Sequence, residues 1–281
     1  MPFNIKKWKQ AQLITSDSTV SKYFPETVQY STQALEDFLG RYRFVYVKPD
    51  GGGQGKGILR ISSKSFSSRI ASIIKMVLKP RLFLANLSTL FANRLYKVQG
   101  FSTKGENIAV EITDLKQVKK IIQPTPFLDK YRSFILQAGI NSISKDGLPL
   151  GIRVHTQKVN NEWIRSGILG KMVNSEDGIV NRNRGAWAIP FREFVIQQAG
   201  MDEKKATELE NEITMISLKV SKIFGVKYPW CEECGIDFGI DQNGQPWIFE
   251  VNTIPSIAFY SELADKSMYR QIINNRRRRK K

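Results

Sequence analysis

Residues 235–252 read GIDFGIDQNGQPWIFEVN. Asn243-Gly244 is a strong hairpin signal, because a two-residue type I′ turn needs positive φ at both central positions. A two-residue turn there sets Asp237 opposite Glu250 and Gly235 opposite Asn252. Side chains alternate between the faces of a strand, so Asp237, Glu250 and Asn252 share one face. Ile236, Phe238, Ile240, Phe249 and Val251 take the other, which is core. Gly235 and Gly239 are expected to leave room above the polar face. A four-residue turn over 241–244 would make the carboxylate pair diagonal but keep it on one face. Like charges directly opposite, with Cβ atoms about 5 Å apart, destabilise a sheet, so a lysine, a shared proton or a cation must compensate. Hard oxygen donors of this kind suit Mg²⁺, which takes one or two carboxylates and keeps positions for water and phosphate. The plainer alternative is a salt-bridged structural cluster.

A second stretch, FVYVKPDGGGQGKGILRI at 44–61, places a glycine-rich loop with flanking lysines between two alternating apolar runs. Exposed backbone N–H groups and an ammonium suit an anion. The P-loop pattern fails, because Asp50 stands where glycine is needed and Gly57 where a hydroxyl is needed, and no register gives G-x-G-x-x-G. Both of those motifs also run strand–loop–helix. Here the flanks are strands, so the loop reads as the tip of a hairpin, a flap able to fold over a ligand.

The chain has 281 residues with ordinary apolar and charged content, enough for one large or two modest domains. No apolar run reaches the roughly 18 residues of a transmembrane span. The start, MPFNIKKWKQ, lacks an apolar h-region and a small-residue cleavage site, which points to a cytoplasmic protein. Its 43 Lys+Arg against 26 Asp+Glu give a net charge of +17, six of the basic residues lying in 274–281. An excess of this size favours polyanions: nucleic acid, an anionic membrane or an acidic polypeptide. Cys231 and Cys234 form no disulfide framework, and without a second CxxC or a histidine cluster they make no zinc site. His155 has no visible nucleophile partner. Asp237-Phe238-Gly239 matches the kinase DFG triplet, but H-R-D-x-x-x-x-N is missing and the lysine precedes the glycine loop.

Strands are expected at 96–101, 107–113 and 133–139, an antiparallel pair at 152–157 and 164–173, and helices at 31–40, 114–122 and 202–224. The basic, apolar segment 65–95 reads as two short helices broken at Lys79-Pro80, either packed or facing a partner.

A lysine strand with a glycine hairpin early and an Asp…Glu-x-Asn hairpin late resembles the ATP-grasp superfamily, and in particular its YheC/YheD branch of endospore coat-associated proteins. The matching pieces are KKW at 6–8, VYVKPDGGGQGKGILRI at 45–61, YRSFILQAGI at 131–140, IRV at 152–154, NRNRGA at 181–186 and ECGIDFGID…WIFEVN at 233–252. The resemblance implies an α+β ATP-grasp fold, two lobes of antiparallel sheet plus helices clasping ATP. It places an N-terminal lobe at 1–132, with the flap at 44–61 and an inserted segment at 65–95. A C-terminal lobe follows at 133–273, and a disordered basic tail at 274–281. Lys7 and Lys48 resemble the lysines that contact ATP phosphates, and Gly52, Gly53, Gln54, Gly55 and Gly57 the flap. Gln137, Ala138 and Ile140 fall at the hinge that meets adenine and ribose. Asp237, Glu250 and Asn252 match the Mg²⁺ ligands. Arg153, Lys171, Asn181 and Arg184 fall where related ligases hold the reacting phosphoryl group and the acceptor. Family members often carry D-x-R where this chain has Gly151-Ile152-Arg153, and the resemblance leads to the expectation that a domain commonly preceding the fold is missing.

The implied activity is ATP- and Mg²⁺-dependent carboxylate–amine ligation through an acylphosphate, with an acidic peptide or protein as a candidate substrate, and spore association as a further expectation. Two other classes stay open: a catalytically inactive nucleotide-binding coat or scaffold protein, and a basic nucleic-acid-binding protein. The latter is disfavoured because no helix-turn-helix or zinc-finger pattern is present. Neither the substrates nor the oligomeric state is legible.

Overall fold

The computed structural model describes residues 5–52, 55–63, 94–124, 131–175 and 177–279. The chain forms two compact units, one of residues 27–50 and 56–139, the other of 1–26, 51–55 and 140–281. Gly53, Gln54 and most of the 65–95 segment, with its two expected helices, lie outside the described residues. The expected boundary after 132 instead falls after Gly139, because the strand that follows Tyr131 pairs with strands of the first unit.

That unit holds a six-stranded antiparallel sheet of β1 (Thr27–Gln29), β2 (Phe44–Pro49), β3 (Leu59–Ser63), β4 (Tyr96–Phe101), β5 (Asn107–Ile112) and β6 (Phe134–Ala138). Their order is β1-β6-β2-β3-β4-β5. Val45 lies opposite both Ile61 and Ala138, and alternation puts Val45, Val47, Leu59, Ile61, Val98 and Leu136 in one core. Leu35 and Phe38 of the Thr32–Arg41 helix close that core. Ser31 starts the helix by accepting a hydrogen bond from the Ala34 N–H, the usual use of an N-cap hydroxyl.

The other unit carries β7 (Leu150–Val159), β8 (Glu162–Met172), β9 (Trp187–Pro190), β10 (Glu233–Ile240) and β11 (Pro246–Asn252), in the order β11-β10-β7-β8-β9. Asn160 and Asn161, both at positive φ, make the tight turn from β7 to β8. The Glu203–Lys227 helix, capped by Asp202, buries Ala206, Leu209, Ile213, Ile216, Val220 and Phe224 against Ile152, Val154, Ile236, Phe238 and Val251. Met215 belongs to the apolar period of the sequence but is 63% exposed on the outer side of this helix. From the Lys7–Thr15 helix, Gln10 accepts the Val251 N–H at 3.0 Å and donates to the Ile5 carbonyl at 2.8 Å. It thereby gives the outer edge of β11 a hydrogen-bond partner, where an open edge would invite another strand.

The expected disordered tail at 274–281 is corrected in part: a Ser267–Arg279 helix runs through most of it. Asn275 donates to Gln157 Oε1 at 3.0 Å and Ser166 Oγ at 3.3 Å, and Arg276 donates to Glu233 at 3.0 Å and the Pro255 carbonyl at 3.1 Å. Two anchored residues hold the helix against the sheet despite its arginine run, while Lys280 and Lys281 lie outside the described residues.

Candidate functional site: a carboxylate pair held by three cations

The β10–β11 register sets Asp237 opposite Glu250 and Gly235 opposite Asn252, the pairing read from the sequence, by a different route. The connection is three residues long: the Asp241 N–H bonds to the Gln245 carbonyl, and Gly244 has φ of 84° while Asn243 lacks a positive φ. From that turn Phe238 pairs with Ile248, and a bulge at Phe249 then restores the register before Glu250. The extra residue also flips one side chain. Ile248, not Phe249, enters the core, and the Phe249 ring lies over Gly239, where a Cβ would meet its Cζ at 2.3 Å. Gly235 is likewise covered, by Pro255 and Arg153. The two glycines therefore admit neighbouring side chains and leave no open space.

Asp237 sits at the centre. Arg153, its cross-strand neighbour on β7, donates Nε to Oδ1 and Nη2 to Oδ2, both at 2.8 Å. Lys171 of β8 reaches Oδ1 at 2.5 Å, and Asn252 Nδ2 reaches Oδ2 at 3.1 Å. Burial alone pushes the Asp237 carboxyl up, but the two cations outweigh it and hold it at about 2. Burial pulls the Lys171 ammonium below its ordinary value, against the attraction of Asp237. Glu250 accepts from Lys7 at 2.7 Å, and the same ammonium donates to the Gly52 carbonyl at 3.2 Å. The compensation demanded by the sequence is thus present as two lysines and an arginine.

Of the other residues expected here, Asn181 caps the turn at Asn183 and packs beside Gly55. Arg184 makes a buried ion pair with Asp177 at 2.6 Å, a partner that no sequence motif flags. Gly57 belongs to the first unit, at φ of 69° with no room for a Cβ against Pro49. In that unit Lys48 donates to Gln137 Oε1 at 2.5 Å, and Gln137 donates to Thr27. Ala138 is buried on β6, and Ile140 is the first residue past the unit boundary.

Among the described residues no three His, Cys, Asp or Glu side chains gather into a metal cluster. The Asp237–Glu250–Asn252 set offers two carboxylates and an amide oxygen on one face, which fits a hard cation that also takes oxygens from water or phosphate. His155, fully buried, meets Glu233 rather than this set. The Cys231 and Cys234 thiols are free and buried, 3.6 Å apart.

Two antiparallel sheets with helices and this carboxylate hairpin define the ATP-grasp fold. The chain belongs to the family described as YheC/D like ATP-grasp, whose model matches residues 2–277. It is 23% identical over 264 residues to the endospore coat-associated protein YheD of Bacillus subtilis, covering 91% of this chain and 49% of that protein. It is 21% identical over 254 residues to YheC of the same organism, covering 89% and 59%. The chain thus spans about half the length of these curated relatives. Among solved structures it resembles the VanG D-Ala:D-Ser ligase of Enterococcus faecalis, with a TM-score of 0.51 and 13% identity over 96% of this chain and 61% of that one, a likeness of fold.

Proposed function

We propose that this protein is an ATP- and Mg²⁺-dependent carboxylate–amine ligase. The observation that carries the reading is the opposed Asp237–Glu250 pair with Asn252 beside it and three cations bonded to the two carboxylates, in a chain of the ATP-grasp family. Asp237, Glu250 and Asn252 would hold Mg²⁺, which when bound neutralises phosphate oxygens and polarises the transferred group. Lys7, Arg153 and Lys171 place positive charge where the phosphoryl group accumulates negative charge. Lys48, Gln137 and Gly57 are the candidates for nucleotide contacts in the first unit, and Gly52 and Gly55 those in the other. A substrate carboxylate oxygen attacks the γ-phosphorus and ADP leaves. The amine nitrogen then attacks the acyl carbon, phosphate departs, and a proton is released as the amide forms. Catalysis of this kind rests on positioning and charge stabilisation rather than on a covalent enzyme intermediate.

The net charge of +17 favours an acidic peptide or protein as substrate, which such a field would steer and hold. Glu/Asp-rich peptides should then stimulate ADP release, Lys/Arg-rich ones should not, and salt near ~0.5 M should suppress the effect. Hydroxylamine gives the broader test, since it intercepts an acylphosphate as a hydroxamate. Hydroxamate formed only with ATP and a carboxylate supports ligation, whereas ATP binding without turnover for any acid tested overturns it. A second reading, a nucleotide-binding coat component without catalysis, is favoured by the names of the two Bacillus relatives.

A further inference from the structure

The two carboxylates are compensated differently. Asp237 receives four hydrogen bonds from Arg153, Lys171 and Asn252, two on each oxygen. A carboxylate offers about four acceptor positions, so a cation reaches Asp237 only by displacing one of these donors. Glu250 instead has, among the described residues, one cationic partner on one oxygen: the Lys7 ammonium. Its side chain is also somewhat more open, 23% exposed against 16% for Asp237. An ammonium is a compact point charge on a flexible stem, easier to move than a guanidinium fixed in two parallel bonds. Lys7 has a second hold, the Gly52 carbonyl, so it joins the carboxylate pair to the start of the glycine segment.

We propose that Lys7 is a stand-in cation. Without metal it neutralises Glu250 and pins Gly52, and when Mg²⁺ arrives with nucleotide it gives up Glu250 and turns to the phosphates. This rests on the nucleotide reading above and adds an exchange step to it: metal and Lys7 compete for one carboxylate, while phosphate and Lys7 attract. Because metal competes with Lys7 for Glu250 while phosphate attracts Lys7, removing that residue shifts the two affinities in opposite directions. Losing Lys7 should strengthen the binding of bare metal and weaken the binding of bare nucleotide. A lysine that only contacts phosphate would weaken nucleotide and leave bare metal unchanged.

The test is a Mn²⁺ titration by electron paramagnetic resonance without nucleotide, on the wild-type chain and on Lys7→Met, Lys7→Arg and the Lys7→Met, Glu250→Gln double variant. Binding of ADP in EDTA is measured alongside. Lys7→Met keeps the apolar stem and should bind Mn²⁺ roughly tenfold or more tightly, the scale of removing a charge near a partly shielded site. It should bind ADP correspondingly less well. Lys7→Arg keeps the charge and should stay near wild type for Mn²⁺, and the double variant should lose the gain. Unchanged or weaker Mn²⁺ binding in folded Lys7→Met overturns the stand-in role, as does a gain that survives in the double variant. Calorimetry of Mg·ATP on the wild-type chain separates the two claims: normal binding there with an unchanged Lys7→Met Mn²⁺ affinity removes only the stand-in role. No Mn²⁺ binding by any variant removes both that role and the metal site.

Discussion

Replacing Asp237 by asparagine isolates the electrostatics of the site without changing its shape. From the sequence alone, two opposed carboxylates suggest that losing one would relieve repulsion and stabilise the metal-free protein. The structure predicts the reverse. Lys7, Arg153 and Lys171 already face Asp237 and Glu250, so Asp237→Asn leaves three cations with one carboxylate. Arg153 and Lys171 would remain shielded from water without the carboxylate they bond, and removing one partner of a buried pair costs about 3–5 kcal/mol. At about 3 kcal/mol per molar urea, the midpoint should fall by about 1 M or more. The pH dependence gives a second handle. Folding lowers the Asp237 carboxyl from the ordinary 3.8 to about 2. Its contribution is therefore fully present above the ordinary value and lost as pH falls from about 4 to about 2. That gap is worth about 2.5 kcal/mol at neutral pH. Urea melts of wild type and Asp237→Asn at pH 7 and at steps down to pH 2.5 measure both. The variant should be weaker at pH 7, and the difference should shrink in acid. Equal or higher stability at neutral pH would refute the electrostatic reasoning.

Three further outcomes follow from the geometry. Lys48→Ala should displace less fluorescent nucleotide at a given ATP concentration while leaving the melt nearly unchanged, because the side chain bonds Gln137 outside the apolar core. Gly170→Ala should lower the melting temperature by several degrees, since its Cβ would lie 2.1 Å from Phe194 Cγ and overpacking costs about 1–3 kcal/mol. Arg184→Met should cost about 3–5 kcal/mol in chemical denaturation by leaving Asp177 buried without its arginine, and adding Asp177→Asn should recover part of that loss.

Period-two alternation made β4, β5, β7 and β8 legible, and the Asn160-Asn161 turn joined the last two. The central pair was legible for a less direct reason. The turn is one residue longer than a type I′ loop, and the Phe249 bulge offsets that residue before Glu250. The pairing survives, but alternation alone puts Phe249 on the core face, because nothing local in the sequence marks a bulge. The Arg184–Asp177 ion pair is not legible in the sequence, because the two residues are recognisable as partners only once the 173–186 loop is folded. The terminal helix shows the same limit: an arginine run reads as solvated chain, and only Gln157, Ser166 and Glu233, distant in sequence, explain why it is held.

Titration calorimetry of Mg·ATP against the wild-type chain and Glu250→Gln tests the central claim most directly. Glu250→Gln keeps a hydrogen-bond acceptor for Lys7 but removes one of the two carboxylates that would hold the metal. The account predicts that wild type binds Mg·ATP, and that the variant loses most of that affinity while binding metal-free ATP at least as well as wild type. Equal Mg·ATP affinity in the two proteins would contradict the assignment of Asp237, Glu250 and Asn252 as the metal face of an ATP-grasp ligase.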